Sequence, residues 1–349
     1  MDLKLSFFPL FFCVLVFAML IGQTFAFTNK DVKVGIYVYT WYNPDDSTSW
    51  EYPKIVDKPV LNYYNSCDPT VIATQIRQIE DLGIDFVMLN WLGIDGFSDT
   101  VVGQWYEVAK TNATRLKLSI MVEPYNETTD GYNYTKIYER AYSLYDNYKG
   151  HSLLYEDYLG VRPVIFFYNG AYLTGDIELT LPKDDRFQVM TVGHRKYVDF
   201  WYDDIRNYVP EHTPQGSYIS VLPRFDDFWQ WKLGLRDHVD VIDRYLTEGL
   251  YESQWKRAVN YADKNMVRWI GIATWNEYPE RTAIEPHYDN TAYNTDPYYL
   301  YNLTKTWIEH LHGINPLSEV KPTYWYQNPI LFGVIALGIC VGVWFVWKS

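Results

Sequence analysis

Eight short apolar runs, separated by stretches of helical periodicity, predict an α/β fold: a single (β/α)8 TIM barrel with parallel strands. Residues 27–312 are the expected barrel domain, a length within reach of one such barrel. Polar and aromatic residues gather just past the C-terminal ends of the runs, the rim on which a barrel carries its chemistry.

The strand-like runs are 34–40, 84–91, 116–122, 163–168, 187–192, 198–202, 218–222 and 269–275. Helices are expected at 69–81, where Ile72, Ile76 and Ile79 share one face, and at 100–110, 134–148 and 251–264. The connections after the fifth and sixth runs leave room for short helices only. The run ends place Tyr39 and Trp41, Trp91, Glu123 and Tyr125, Tyr168, Asp226 and Asp227, and Trp275 and Asn276 on one rim. No internal repeat and no low-complexity tract interrupts the domain.

The termini suggest where the chain works. Residues 1–26 hold Lys4, a nearly unbroken apolar run and a closing Thr24-Phe25-Ala26, which reads as a secretory signal peptide. Residues 330–347 carry no charge and are followed by Lys348; as a helix they span roughly 27 Å, enough for the hydrocarbon core of a bilayer. Trp344 and Trp347 fit an aromatic belt there. Residues 313–329, with Pro316, Pro322 and Pro329, read as a semi-rigid stalk. The expectation is a single-pass type I protein of the cell membrane, anchored in the lipid bilayer by its C-terminal helix, with the barrel extracellular or lumenal.

Cys67 is the one cysteine between signal and anchor, so a large core rather than a disulfide must stabilise the domain. Asn112, Asn126, Asn133 and Asn302 are glycosylation acceptors. A formal net charge of −13 and the lack of a basic patch argue against nucleic acid as a partner. The 33 Tyr, 14 Trp and 17 Phe supply more amphipathic ring surface than a core requires, and carbohydrate binding is one use for it. No metal-binding or nucleotide-binding motif is present and no cofactor is expected.

The densest chemistry lies after the last run, in Trp275-Asn276-Glu277-Tyr278-Pro279-Glu280. Two glutamates three residues apart at a strand end, beside Trp and Tyr, suit acid/base work on a glycosidic bond. Three extended residues reach at most about 10–11 Å, so both carboxyls can flank one sugar ring. That spacing also fits a nucleophile and an acid about 5–5.5 Å apart, and it does not choose between the two mechanisms.

The order of motifs resembles glycoside hydrolase family 99, the endo-α-mannosidases, or a close relative. Tyr39-Thr40-Trp41-Tyr42-Asn43-Pro44, Cys67-Asp68-Pro69, Gly83-Ile84-Asp85-Phe86 with Asn90-Trp91, Glu123-Pro124-Tyr125, Phe225-Asp226-Asp227 and Trp275-Asn276-Glu277 follow the family's sequence of strand ends. The family's closing motif reads Trp-Asn-Glu-Trp-His-Glu-Gly-Thr-Gln-Ile-Glu-Pro. Here both glutamates and the Ile284-Glu285-Pro286 end are kept, while Tyr278-Pro279, Arg281 and Ala283 depart from it.

The resemblance implies that Glu280 is the general acid/base and that Glu277 is a base acting on the substrate's 2-hydroxyl. That hydroxyl then attacks the anomeric carbon, giving net retention through an anhydro-sugar. It further implies sugar contacts at Tyr39, Trp41, Trp91, Glu123, Tyr125, Tyr168, Asp226, Asp227, Trp275, Asn276 and Tyr278. The expected function is cleavage of α-mannoside-like linkages in an oligosaccharide or glycoprotein glycan. Two alternatives stand beside it: a non-catalytic glycan-binding surface protein on the same barrel, and a hydrolase of related fold with another sugar specificity.

Overall fold

The computed structural model describes residues 32–51, 54–123, 134–157, 160–167, 184–191, 218–264, 266–292 and 294–314. Seven parallel strands cross this part: β1 (Lys33–Val38), β2 (Phe86–Trp91), β3 (Lys117–Val122), β4 (Gly160–Phe167), β5 (Gln188–Thr191), β6 (Tyr218–Val221) and β7 (Trp269–Ile272). Five longer helices accompany them: α1 (Pro69–Asp81), α2 (Phe97–Thr111), α3 (Tyr134–Asn147), α4 (Leu250–Asp263) and α5 (Tyr299–Leu311).

The strands lie in the order β5-β4-β3-β2-β1-β7-β6. Every pair of consecutive strands except β5 and β6 is hydrogen-bonded, and the first strand pairs with the last, as in a barrel. Among the described residues the sheet is not closed between β5 and β6, and the run expected at 198–202 lies outside them. Not every strand is parallel. Leu154–Asp157 pairs antiparallel with the start of β4, a segment too short in its alternation to be read as a strand from sequence.

Helix α1 spans residues 69–81 as expected because its start is chemically fixed. Asp68 caps it by accepting from Thr70 N at 2.7 Å, and Pro69 occupies the first turn, where no N–H is needed. Helix α5 is not among the helices expected from the sequence, although it lies within the expected barrel domain. It packs on the barrel, burying Leu300, Leu303, Trp307 and Leu311. Tyr301 donates to Gln78 O at 2.9 Å, which fastens α5 to α1 across the seam between β7 and β1.

Strand period sorts the core into two layers. Tyr37, Phe86, Met88, Met121, Phe166, Tyr218 and Trp269 fill one cluster inside the sheet. Ile36, Val38, Val87, Leu89, Leu118, Ile120, Ile219 and Ile270 form the other, packed with the helices. Large rings inside need small neighbours. A Cβ on Gly271 would sit 1.5 Å from the Tyr218 hydroxyl oxygen, which is tied to the Tyr37 hydroxyl at 2.7 Å.

A third cluster, Tyr39, Tyr42, Trp50, Tyr64, Tyr278 and Ala283, lies under the rim. Tyr42 stacks on Trp50 with centroids 4.0 Å apart. Much of the aromatic surplus therefore supports the rim from below.

Among the described residues no helix is long and apolar enough to cross a membrane. The expected signal peptide (1–26), transmembrane helix (330–347) and all but the first two residues of the stalk (313–329) lie outside the described residues.

Candidate active site

The site is built on the turn that follows β7. Trp275 N donates to Tyr37 O at 2.7 Å, continuing the β1·β7 pairing past the strand. The chain then folds back on itself: Thr282 N donates to Glu277 O at 3.1 Å and Glu285 N to Trp275 O at 2.8 Å. Glu277 N donates to Thr274 Oγ1 at 2.8 Å, and Thr274 Oγ1 lies 3.0 Å from Thr282 Oγ1. Asn276 imitates a strand. Its Oδ1 accepts from Tyr39 N at 2.7 Å and its Nδ2 donates to Tyr39 O at 3.0 Å. Tyr42 OH donates to Asn276 O at 2.7 Å. These bonds fix the backbone on both sides of Glu277.

Three carboxyls converge on this turn. Glu123 follows β3 and sits on the inward face with Met121, two residues before it; Asn90 is on the same face of β2 as Met88. The Asn90 amide donates to Glu123 Oε2. Glu277 is 4% exposed, and its Oε2 is buried with no hydrogen-bond partner among the described residues. Glu280 is more open, and Arg236 donates to its Oε1 in an ion pair.

Burial pushes the Glu277 carboxyl well above the usual carboxylate range, helped by the Glu280 and Glu123 charges and opposed by Arg236. Burial also raises Glu123 to about 7, with Glu280 adding to the effect and Asn90 and Arg236 lowering it. Such a cluster holds protons near neutral pH, the property that acid/base chemistry requires. The like charges acting on Glu277 are Glu280 and Glu123, and the opposing cation is Arg236.

Glu285 belongs beneath the site. It is fully buried and accepts from Gln75 Nε2 at 2.9 Å, Tyr64 OH at 2.9 Å and Tyr278 OH at 2.7 Å. Burial raises it to about 7, while the three donors pull the other way. Arg281 turns away from the glutamates. It ion-pairs with Asp57, Asp226 and Asp289, which Arg224 and Arg244 also engage. Three carboxylates thus meet three guanidiniums. Asp57, Asp289 and His287 bring ligand atoms within 4.8 Å of one another, yet both aspartates are taken up by arginines, and the set is not a cation site.

Several expected sugar contacts are therefore placed elsewhere. Trp91 and Trp275 are fully buried in the layer facing the helices, where strand alternation puts Val87, Leu89 and Trp91 together. Tyr278 is buried with its hydroxyl on Glu285, and Asn276 is occupied by the Tyr39 backbone. Asp226 is locked between Arg244 and Arg281; Asp227 is buried and accepts from Asp240 N at 2.7 Å. Tyr125 and Tyr168 lie outside the described residues, as do the acceptors Asn126 and Asn133, while Asn112 and Asn302 are exposed.

What remains at the rim is Glu123, Glu280 and Trp41, all half-buried, with Tyr39 just beneath; the Tyr39 and Trp41 rings are 4.3 Å apart. The sequence marks Asn90 only as part of a strand-end motif, with no role at the site, and does not mark Arg236. Asn90 has a readable signal, since it shares a strand face with Phe86 and Met88. Arg236 has none, because it reaches the cluster from a loop.

The family profile of glycosyl hydrolase family 99 matches residues 40–179. That stretch includes Tyr39's neighbour Trp41, Asn90 and Glu123, and it ends before the turn that carries Glu277 and Glu280. Glycoprotein endo-alpha-1,2-mannosidase of Rattus norvegicus is 26% identical over 137 residues, which is 38% of this chain and 28% of the rat protein. Two structures of a GH99 endo-alpha-mannosidase from Bacteroides thetaiotaomicron share the fold. One, in complex with bis-tris-propane, superposes with a TM-score of 0.60 at 19% identity, covering 81% of this chain and 98% of the bacterial one. The other gives 0.59 at 18% identity over 82% and 98%. In sequence over residues 40–179, and in fold over 81% of its length, this chain is similar to glycosyl hydrolase family 99.

Proposed function

We propose that this protein is a glycoside hydrolase that cleaves α-mannoside-like linkages within glycans, with net retention by participation of the substrate's 2-hydroxyl. The observation that carries the reading is the convergence of Glu123, Glu277 and Glu280 on one end of the parallel sheet, with raised proton affinity at Glu277 and Glu123. Glu280, the more open of the pair, protonates the leaving oxygen and later takes a proton from water. Glu277, rigidly held by Thr274 and Thr282, takes the proton from the 2-hydroxyl as that oxygen attacks the anomeric carbon. Trp41, with the Tyr39 ring packed beneath it, offers a face for the C–H side of a sugar. In this reading the barrel is a glycoprotein domain outside the membrane or in a lumen, tethered to the bilayer by residues 330–347.

A related specificity is the second reading, favoured by Pro279. Of the motif's departures, Tyr278, Arg281 and Ala283 are buried and rebuild the support, whereas Pro279 is half-buried beside Glu280. Screening the purified protein against defined α-linked oligosaccharides tests both. Cleavage inside an α-mannoside supports the first; cleavage confined to another α-linked sugar supports the second. Binding without any cleavage would leave a glycan-binding protein on the same barrel.

A further inference from the structure

We propose that Arg236 is a positioning residue that selects which of Glu277 and Glu280 carries the proton the pair shares. The inference rests on the hydrolase reading of this site. Arg236 lies beyond the short helix Phe228–Lys232, on the connection between β6 and β7, whereas both glutamates sit on the turn after β7. Its Nη2 donates to Glu280 Oε1, and its Nε is steadied by Gln230 Oε1 at 2.7 Å. The Glu280 and Arg236 side chains keep 18% and 34% of their surface, so the ion pair is open to the cleft.

Glu277 has the opposite surroundings, with one buried carboxyl oxygen that receives no donor from the described residues. Such an oxygen is costly in an anion and tolerable in a neutral acid. A carboxylate held by a guanidinium needs no proton. In the empty cleft the shared proton therefore sits on Glu277, and Glu280 is ionised.

The reaction needs the reverse arrangement, with the proton on Glu280 and Glu277 free to act as base. Both arrangements hold one proton, so the change is a transfer from a Glu277 oxygen to a Glu280 oxygen with nothing gained or lost. It follows when entering sugar hydroxyls draw Arg236 off Glu280. The charged groups that face Arg236 are Glu280, Glu277, Glu123 and Asp227, the last also facing Asp240 and His238.

The test compares the full chain with Arg236→Gln and Arg236→Lys, following ¹³C-labelled glutamate carboxyls through a pH titration alongside turnover of an α-mannoside. Glu277→Gln and Glu280→Gln assign the signals. The unmodified protein should show Glu280 ionised and Glu277 neutral at pH 7. Arg236→Gln should move the cluster's titration midpoints, and with them both limbs of the pH–rate profile, upward by about one pH unit or more. Arg236→Lys keeps the charge and should leave them near the starting values. Overturning results would be a neutral Glu280 with ionised Glu277 in the unmodified protein, or equal losses of turnover in both variants with unmoved midpoints. If the midpoints move but no glycoside is cleaved, the proton assignment holds and the hydrolase reading fails.

Discussion

Glu123 and Asp289 show how two carboxyls in one fold are driven in opposite directions. Burial lifts Glu123 to about 7, whereas Arg224, backbone donors and Arg281 overcome burial and bring Asp289 down to about 2. The signs lead to a test. A carboxyl raised above its ordinary 4.5 contributes stability that is complete below that value and is lost as the pH climbs through about 7. Asp289, lowered to about 2, changes nothing in that window. Glu123→Gln should therefore flatten the fall in unfolding free energy between pH 4.5 and 8 by on the order of 1–3 kcal/mol. Parallel curves for the two proteins, measured by denaturant melts across pH, would show that Glu123 carries no such penalty. At this scale the sequence was a mixed guide. Both glutamates and Glu123 were legible because strand ends and spacing mark them, yet Trp91 and Trp275 were read as sugar contacts although strand alternation already sends Trp91 outward. Arg236 was invisible, since a loop's reach is set by tertiary packing rather than by any period.

The turn after β7 is the element on which the site depends, and Arg281 is its least expected member. Its φ of 59° is the left-handed conformation that suits the glycine found there in the resembled family. Holding Arg in it costs roughly 1–2 kcal/mol. The ion pairs with Asp57, Asp226 and Asp289 decide the balance, because removing one partner of a buried pair costs about 3–5 kcal/mol. Arg281→Gly should then destabilise the protein by a net amount on the order of 2–3 kcal/mol despite relieving the backbone. An unchanged or raised melting temperature would mean that the network does not hold the turn. The strands and α1 were legible because their signals are local: period, cap and proline. Helix α5 and the Leu154–Asp157 strand are not among the elements expected from the sequence, and the strand is too short to show alternation.

Across the whole molecule, β1 pairs with β7 and α5 is tied to α1, so the first and last described strands and helices are joined by residues up to 314. Truncation before Pro329 should release a soluble protein with the melting temperature of the detergent-extracted full chain. Aggregation of the truncated protein in its folded state would show that residues 330–347 pack on the barrel instead of anchoring it. Fold class is legible in the alternation of the two periods; the eight-stranded barrel expected from it is seen in part, since the run at 198–202 lies outside the described residues. The central claim is that Glu280 and Glu277 divide acid and base work on one sugar. Its most direct test is turnover of an α-mannoside, of its analogue with an activated leaving group, and of its 2-deoxy analogue, by the unmodified protein, Glu280→Gln and Glu277→Gln. Glu280→Gln should slow the unactivated substrate by about 10²–10⁴-fold and the activated one less, Glu277→Gln should slow both, and the 2-deoxy compound should stay intact. Unchanged turnover in both variants, or cleavage of the 2-deoxy compound at the ordinary rate, would contradict the account.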